Sequence, residues 1–268
     1  MLGAIIGDIV GSRFEFDNHK SKEFDFFHPG CYFTDDSVMT IAIGASLLEC
    51  KGNYENLSEV AVSMMRKIGR KYPHCGYGGH FRLWLKSAVP SPYYSYGNGA
   101  PMRVSACGIV GNSLDEVKIL SRKVTEVTHN HPEGLKAAEA IATCVYLART
   151  GSSKQELFDY VQAHYYPMNF TLDEIREEYE FDVSSQGSTP QGLKAFFESE
   201  SFEDAIRNAI SIGGDSDTIG AITGAVAGAF YGIPSWMIDK SMEYLDKQLH
   251  IMCERFVDRH PMNLIKLV

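Results

Sequence analysis

The sequence predicts an all-α protein. Apolar residues recur at three- and four-residue steps in several separate stretches. Alternating apolar runs joined by Asn-Gly or Asp-Gly turns are missing, which argues against an all-β fold. No set of candidate parallel strands stands out between the helical stretches, which argues against α/β.

Taken in order, Val38, Ile41, Ala42, Ala45 and Leu48 make the first clear helical stripe. Leu57–Gly69 is the next. Leu135, Ala138, Ala142, Val145 and Leu147 follow Pro132, a residue suited to a helix start. Ile206, Ala209 and Ile210 precede Gly213-Gly214. The run Ile219–Ile233 is the most apolar of all and is rich in Gly and Ala. It is shorter than the ~20 residues of a membrane-spanning helix, so it reads as a tightly packed core helix. The stretch around Met237–Val257 also reads as helical. Acidic Thr171–Glu180 reads as a solvated surface helix. Gly76–Gly79, Pro90–Pro101 and Gly187–Gly192 read as loops. None is long enough for a linker, so residues 1–268 are expected to form a single domain.

The chain of 268 residues is 44% hydrophobic and 22% charged, which suits a globular protein with a full core. A net charge of -9 argues against a nucleic-acid groove. The six cysteines are scattered without a Cys-x-x-Cys pair, which is not a zinc pattern and fits reduced thiols in the cytoplasm. The N-terminus lacks a basic n-region, and Asp8 interrupts its apolar run, so no signal peptide is expected.

The informative residues are acidic. Thr34-Asp35-Asp36 precedes one helix and Gly213-Gly214-Asp215-Ser216-Asp217-Thr218 precedes another. A single Asp suffices to cap a helix N-terminus. A second carboxylate beside it adds repulsion that a cation would screen, and oxygen-only donors suit hard ions such as Mg²⁺, Mn²⁺ or Ca²⁺. Capping and cation binding are both open on these residues alone. Asp215-x-Asp217 lacks the later positions of an EF-hand loop. Glu15, between Phe14 and Phe16, is either a surface partner of Arg13 or a carboxylate with a raised pKa. Ser95-Tyr96-Gly97-Asn98-Gly99 and Gly76-Tyr77-Gly78-Gly79 are each either tight turns or nests of backbone N–H groups for an anion. His129 and His131, just before a helix, either cap it or meet phosphate or ribose. No P-loop, His-x-x-x-His zinc pair or Gly-x-Ser-x-Gly elbow is present.

In this order along nearly the whole chain, Gly3–Phe16, Phe33–Leu48, Gly76–Gly79, Ser95–Arg103, Thr128–His131 and Gly213–Gly232 resemble the ADP-ribosylglycohydrolase family. That family includes the dinitrogenase reductase-activating glycohydrolase and hydrolases of ADP-ribosyl-arginine and ADP-ribosyl-serine. The resemblance implies a compact orthogonal helical bundle with two divalent cations, Mg²⁺ or Mn²⁺. It implies metal ligands at Thr34, Asp35, Asp36, Asp215, Asp217 and Thr218, with Asp217 reaching both ions. It implies catalytic roles for Glu15, Asp36 and Asp217. Ser95, Tyr96, Gly97, Asn98, Gly76, Gly78, Gly79 and His129 match positions that hold the substrate's diphosphate and ribose. The implied reaction is hydrolysis by metal-activated water at the anomeric carbon of the distal ribose. An ADP-ribosylated protein or small molecule is the expected substrate, with arginine the first acceptor expected and a nucleic-acid end not excluded. A non-catalytic ADP-ribose binder and a metal-dependent phosphoester or nucleotide hydrolase are the competing readings.

Overall fold

In the computed structural model, which describes residues 1–261 and 264–265, helices follow one another along the chain. They are α1 (Leu2–Gly11), α2 (Asp35–Glu49), α3 (Leu57–Gly69), α4 (Gly79–Lys86), α5 (Ser105–Val110), α6 (Leu114–Thr125) and α7 (Pro132–Arg149). Then come α8 (Lys154–His164), α9 (Leu172–Ile175), α10 (Ser185–Phe197), α11 (Phe202–Ser211), α12 (Ser216–Tyr231), α13 (Ser235–Met242) and α14 (Lys247–Arg259). Among the described residues the only sheet is a two-residue parallel pair, β1 (Ile233–Pro234) with β2 (Leu264–Ile265). The all-α expectation holds.

Local chemistry sets many of the helix starts. Thr34, Ser113, Ser201 and Asp246 each accept a bond from a backbone N–H in the first turn of the helix that follows. Ser153 and Thr171 form full capping boxes with Glu156 and Glu174.

The helix pair α1 and α12 forms the centre. Every residue of α1 is buried, as is α12 from Ser216 to Gly228. Their backbones touch through glycine. A Cβ on Gly7 would lie 1.9 Å from the Gly220 carbonyl oxygen, and one on Gly3 would lie 2.0 Å from that of Gly224. The contact runs antiparallel, so it carries the C-terminal end of α1 to the N-terminal end of α12, where a Cβ on Gly11 would meet the Asp217 backbone. Gly7→Ala should therefore push two helices apart at the base of the cleft. We expect a loss of about 3 kcal/mol, the upper range for overpacking, read as a lower urea midpoint at unchanged m-value.

Two local expectations are corrected and a third is refined. Gly187–Gly192 is not a loop but part of α10. Its glycines serve packing: a Cβ on Gly192 would lie 2.6 Å from Ile222 Cγ2, and the Gly192 carbonyl accepts from Thr223 Oγ1 at 2.8 Å. Met237–Val257 is two helices, because Asp246 caps the start of α14 through Gln248 N and Leu249 N. Thr171–Glu180 is helical only over Leu172–Ile175. Beyond it, Lys20 Nζ bonds the carbonyls of Arg176 and Tyr179, which a continuing helix would have used.

Candidate active site

The two acidic motifs lie on different helices and meet at one cleft of about 370 Å³, within the size range of small-ligand sites. Thr34 sits before α2 in extended conformation. Its Oγ1 accepts from Asp36 N at 3.3 Å and donates to Asp8 Oδ1 at 2.6 Å. On the opposite wall, Gly213 and Gly214 both adopt positive φ, 71° and 75°, where a side chain would be strained. Asn18 clamps this turn, accepting from Gly214 N at 2.7 Å and donating to Gly214 O at 2.9 Å. The turn delivers Asp215 and Asp217 to the start of α12.

Two overlapping carboxylate groups result. Asp8, Asp36 and Asp217 each place an oxygen within 4.8 Å of the others, and so do Glu15, Asp215 and Asp217. Asp217 belongs to both. Asp36 Oδ2 accepts from Thr218 Oγ1 at 3.2 Å, which ties α2 to α12. Asp215 Oδ2 accepts from Asn98 Nδ2 at 2.6 Å, which ties α12 to the Ser95–Asn98 loop. Asp35 lies on the cleft wall outside both groups. A Cβ on Gly76 would approach Asp35 Oδ1 to 2.6 Å, so that glycine leaves room for the carboxylate.

The electrostatics are one-sided. Among the described residues, no Lys or Arg forms an ion pair with Asp8, Glu15, Asp35, Asp36, Asp215 or Asp217. Burial, then the charges of Asp217 and Asp8, pushes Glu15 up to about 8. Burial raises Asp215 to about 6 against the bond from Asn98. Asp35, Asp36 and Asp217 rise well above the usual carboxylate range, again from burial first; the charges of Asp217 and Asp8 come next for Asp35 and Asp36, and that of Asp215 for Asp217. Asp8 rises by burial although Thr34 and Ser37 donate to it.

Such a cluster must hold either extra protons or cations. The donor set is all oxygen, which fits a hard divalent ion. Asp36 Oδ1 is buried with no hydrogen-bond partner, which a coordinated ion would satisfy. The residues fit such a group.

The other wall is the Ser95–Asn98 loop, fixed by backbone bonds to the start of α10: Asn98 N to Val183 O at 2.8 Å and Ser185 N to Tyr96 O at 2.7 Å. Ser95, Gly97, Asn98, Gly76, Gly78, Gly79 and His129 all line the cleft. Thr34 and Tyr96 do not. Thr34 is buried behind Asp36, and the exposed Tyr96 ring lies beside His131. His129 faces inward through a narrow gap, since a Cβ on Gly99 would come within 3.2 Å of its Nε2. Burial, reinforced by Arg103, holds its pKa well below normal, so it is a neutral imidazole. A chain of bonds orients it: Arg103 Nη2 donates to Thr128 Oγ1 at 2.7 Å, which contacts His129 Nδ1 at 2.8 Å.

Sequence reasoning passed over Asp8, Arg103, Phe16 and Phe181. Asp8 carried a signal, since a carboxylate in an apolar helix needs partners in the core. Arg103, at the end of a recognised motif, carried none that distinguished it from a surface arginine.

Residues 1–263 match the sequence profile of a family described as ADP-ribosylglycohydrolase. The chain belongs to this family. It is accordingly an enzyme, a glycohydrolase. ADP-ribosylhydrolase ARH3 of Mus musculus is 26% identical over 335 residues, covering 96% of this chain and 86% of that protein. ADP-ribosylarginine hydrolase Tri1 of Pseudomonas putida (strain GB-1) is 26% identical over 291 residues, covering 97% and 77%. A solved structure titled ADP-ribosylglycohydrolase-related protein complex superposes with a TM-score of 0.67 at 22% identity, over 96% of each chain. That likeness is one of fold.

Proposed function

We propose that this glycohydrolase removes ADP-ribose from a modified acceptor, with water as co-substrate and free ADP-ribose and the unmodified acceptor as products. The observation that carries the reading is Asp217, shared by two groups of carboxylates drawn from α1, α2, the Glu15 segment and α12. Asp8, Asp36 and Asp217 would hold one divalent cation, and Glu15, Asp215 and Asp217 a second. Asp35, Thr34 and Thr218 stand beside or behind them. Bound there, Mg²⁺ or Mn²⁺ would supply Lewis-acid polarisation and a bound water of lowered pKa.

The chain's own groups do the rest. The Ser95–Asn98 loop and the glycines at 76, 78 and 79 offer backbone N–H groups and open space to a diphosphate. Neutral His129 hydrogen-bonds ribose or phosphate oxygen without a charge of its own. Binding energy from this end orients the distal ribose at the carboxylates. Glu15, half-buried beside Asp217 and ionised once a cation is held, would use its free carboxylate oxygen to orient the attacking water and accept its proton. One of the relatives named above is an ADP-ribosylarginine hydrolase by name, and arginine is the first acceptor we assign.

The test is release of ADP-ribose from matched ADP-ribosyl-arginine and ADP-ribosyl-serine peptides, before and after EDTA. The reading expects release that EDTA abolishes and Mg²⁺ or Mn²⁺ restores. Full activity after thorough chelation would remove the cations from it, and no release from any ADP-ribosylated acceptor would remove the reaction.

A further inference from the structure

The mouth of the cleft carries two aromatic rings that the chemistry above does not use. Phe16 is 82% exposed and Phe181 is 47% exposed. They come from distant parts of the chain, yet their centroids lie 6.0 Å apart with planes tilted by 31°. Both line the cleft, and Phe16 directly follows Glu15. Single exposed apolar side chains are ordinary, but two rings gathered at the entrance of a catalytic cleft form a surface for a ligand.

Their neighbours in the sequence are acidic. Asp17 follows Phe16, and Glu180 and Asp182 flank Phe181. The lysine of this region is already bound: Lys20 Nζ donates to the carbonyls of Arg176, Tyr179 and Ile212. Ring faces that share a cleft wall with a carboxylate, here Glu15, are the chemistry that recognises a planar cation. The Ser95–Asn98 loop, paired through backbone bonds with Val183 and Ser185 just beyond Phe181, and His129 present N–H groups and open backbone instead.

We propose that Phe16 and Phe181, beside Glu15 of the carboxylate cluster, form the acceptor subsite, and that the acceptor it takes is a guanidinium. This rests on the reading of the cleft as an ADP-ribosyl hydrolase. The two rings sandwich or flank the guanidinium plane while Glu15 meets its N–H edge. A serine acceptor brings neither a positive charge nor a π-plane to this surface.

The experiment uses the whole protein with Mg²⁺ and the variants Phe16→Leu, Phe181→Leu and both together. Leucine keeps apolar bulk and removes the ring face, and neither ring is in the core, so folding is checked only by circular dichroism. KM and kcat are measured on an ADP-ribosyl-arginine peptide, and Kd is measured for free ADP-ribose, which lacks an acceptor. Each single variant should raise KM about 3- to 5-fold, the range of an exposed cation–π contact, with Kd for ADP-ribose unchanged. Unchanged KM in the double variant would overturn the proposal, as would an equal weakening of ADP-ribose, which would put the rings on the nucleotide side. A wild-type enzyme that releases ADP-ribose from the serine peptide and not from the arginine peptide would overturn it too, while leaving ADP-ribosyl hydrolysis standing. Failure to hydrolyse either peptide or to bind ADP-ribose would instead remove the underlying reading.

Discussion

Asp217→Asn should cost at least about 100-fold in turnover and leave the protein folded. Removing groups that merely orient a metal ligand costs about 10–100-fold, and Asp217 is the one carboxylate common to both groups. Asparagine keeps the size of the side chain and can keep the local bond that Thr218 N donates to Asp217 Oδ1 at 2.8 Å. It removes one of several crowded negative charges, so the metal-free protein should hold or gain stability. Loss of activity with an unchanged or raised melting temperature is the expected pair of readings. Near-native turnover with Mg²⁺ present would show that the shared position is not needed.

The second large effect is stabilisation by divalent cations, and it should grow with pH. The sign follows from the raised carboxyls. Between the unfolded value near 4 and the folded values of about 6 for Asp215 and about 8 for Glu15, the fold binds protons that the unfolded chain has lost. Stability of the metal-free protein therefore falls as pH rises across that window. A bound cation replaces those protons, and its advantage is smallest where they are already present. At about 100 times Kd a ligand adds about 2.7 kcal/mol, which for a chain of this size is about 5–10 °C in melting temperature. Thermal melts with and without Mg²⁺ or Mn²⁺ at pH 5 and pH 8 should show a clear shift at pH 8 and a smaller one at pH 5. Equal shifts at both would mean that the cation binds elsewhere.

The helices were legible where they are amphipathic or wholly apolar. The 38–48 and 57–69 stretches fall where their apolar spacing places them, and the 219–233 stretch does so as far as Tyr231, where Gly232 at positive φ ends α12 before β1, because burial on one face or all faces leaves that spacing in the sequence. Gly187–Gly192 misled because glycine serves two ends: it frees a turn, and it lets two helices approach, and only the second applies at Gly192. The break between α13 and α14 was visible only as Asp246, one polar residue whose capping role depends on where the chain turns. The acidic motifs at 34–36 and 215–218 were legible because they precede strong helices, whereas their convergence was not. It depends on the glycine-to-glycine contact of α1 with α12, which also brings in Asp8. The pairing of Phe16 with Phe181 is likewise a product of the fold, with no local pattern to announce it.

The most direct test of the central claim is the identity of the bond that breaks. The enzyme should be given an ADP-ribosylated peptide and Mg²⁺ in ¹⁸O-labelled water, and the products resolved by mass spectrometry at early times. Intact ADP-ribose carrying one label, with unmodified peptide, is the result expected of a site that grips the diphosphate and opens the anomeric bond. AMP and a ribose-phosphate peptide, with the label on phosphorus, would contradict it.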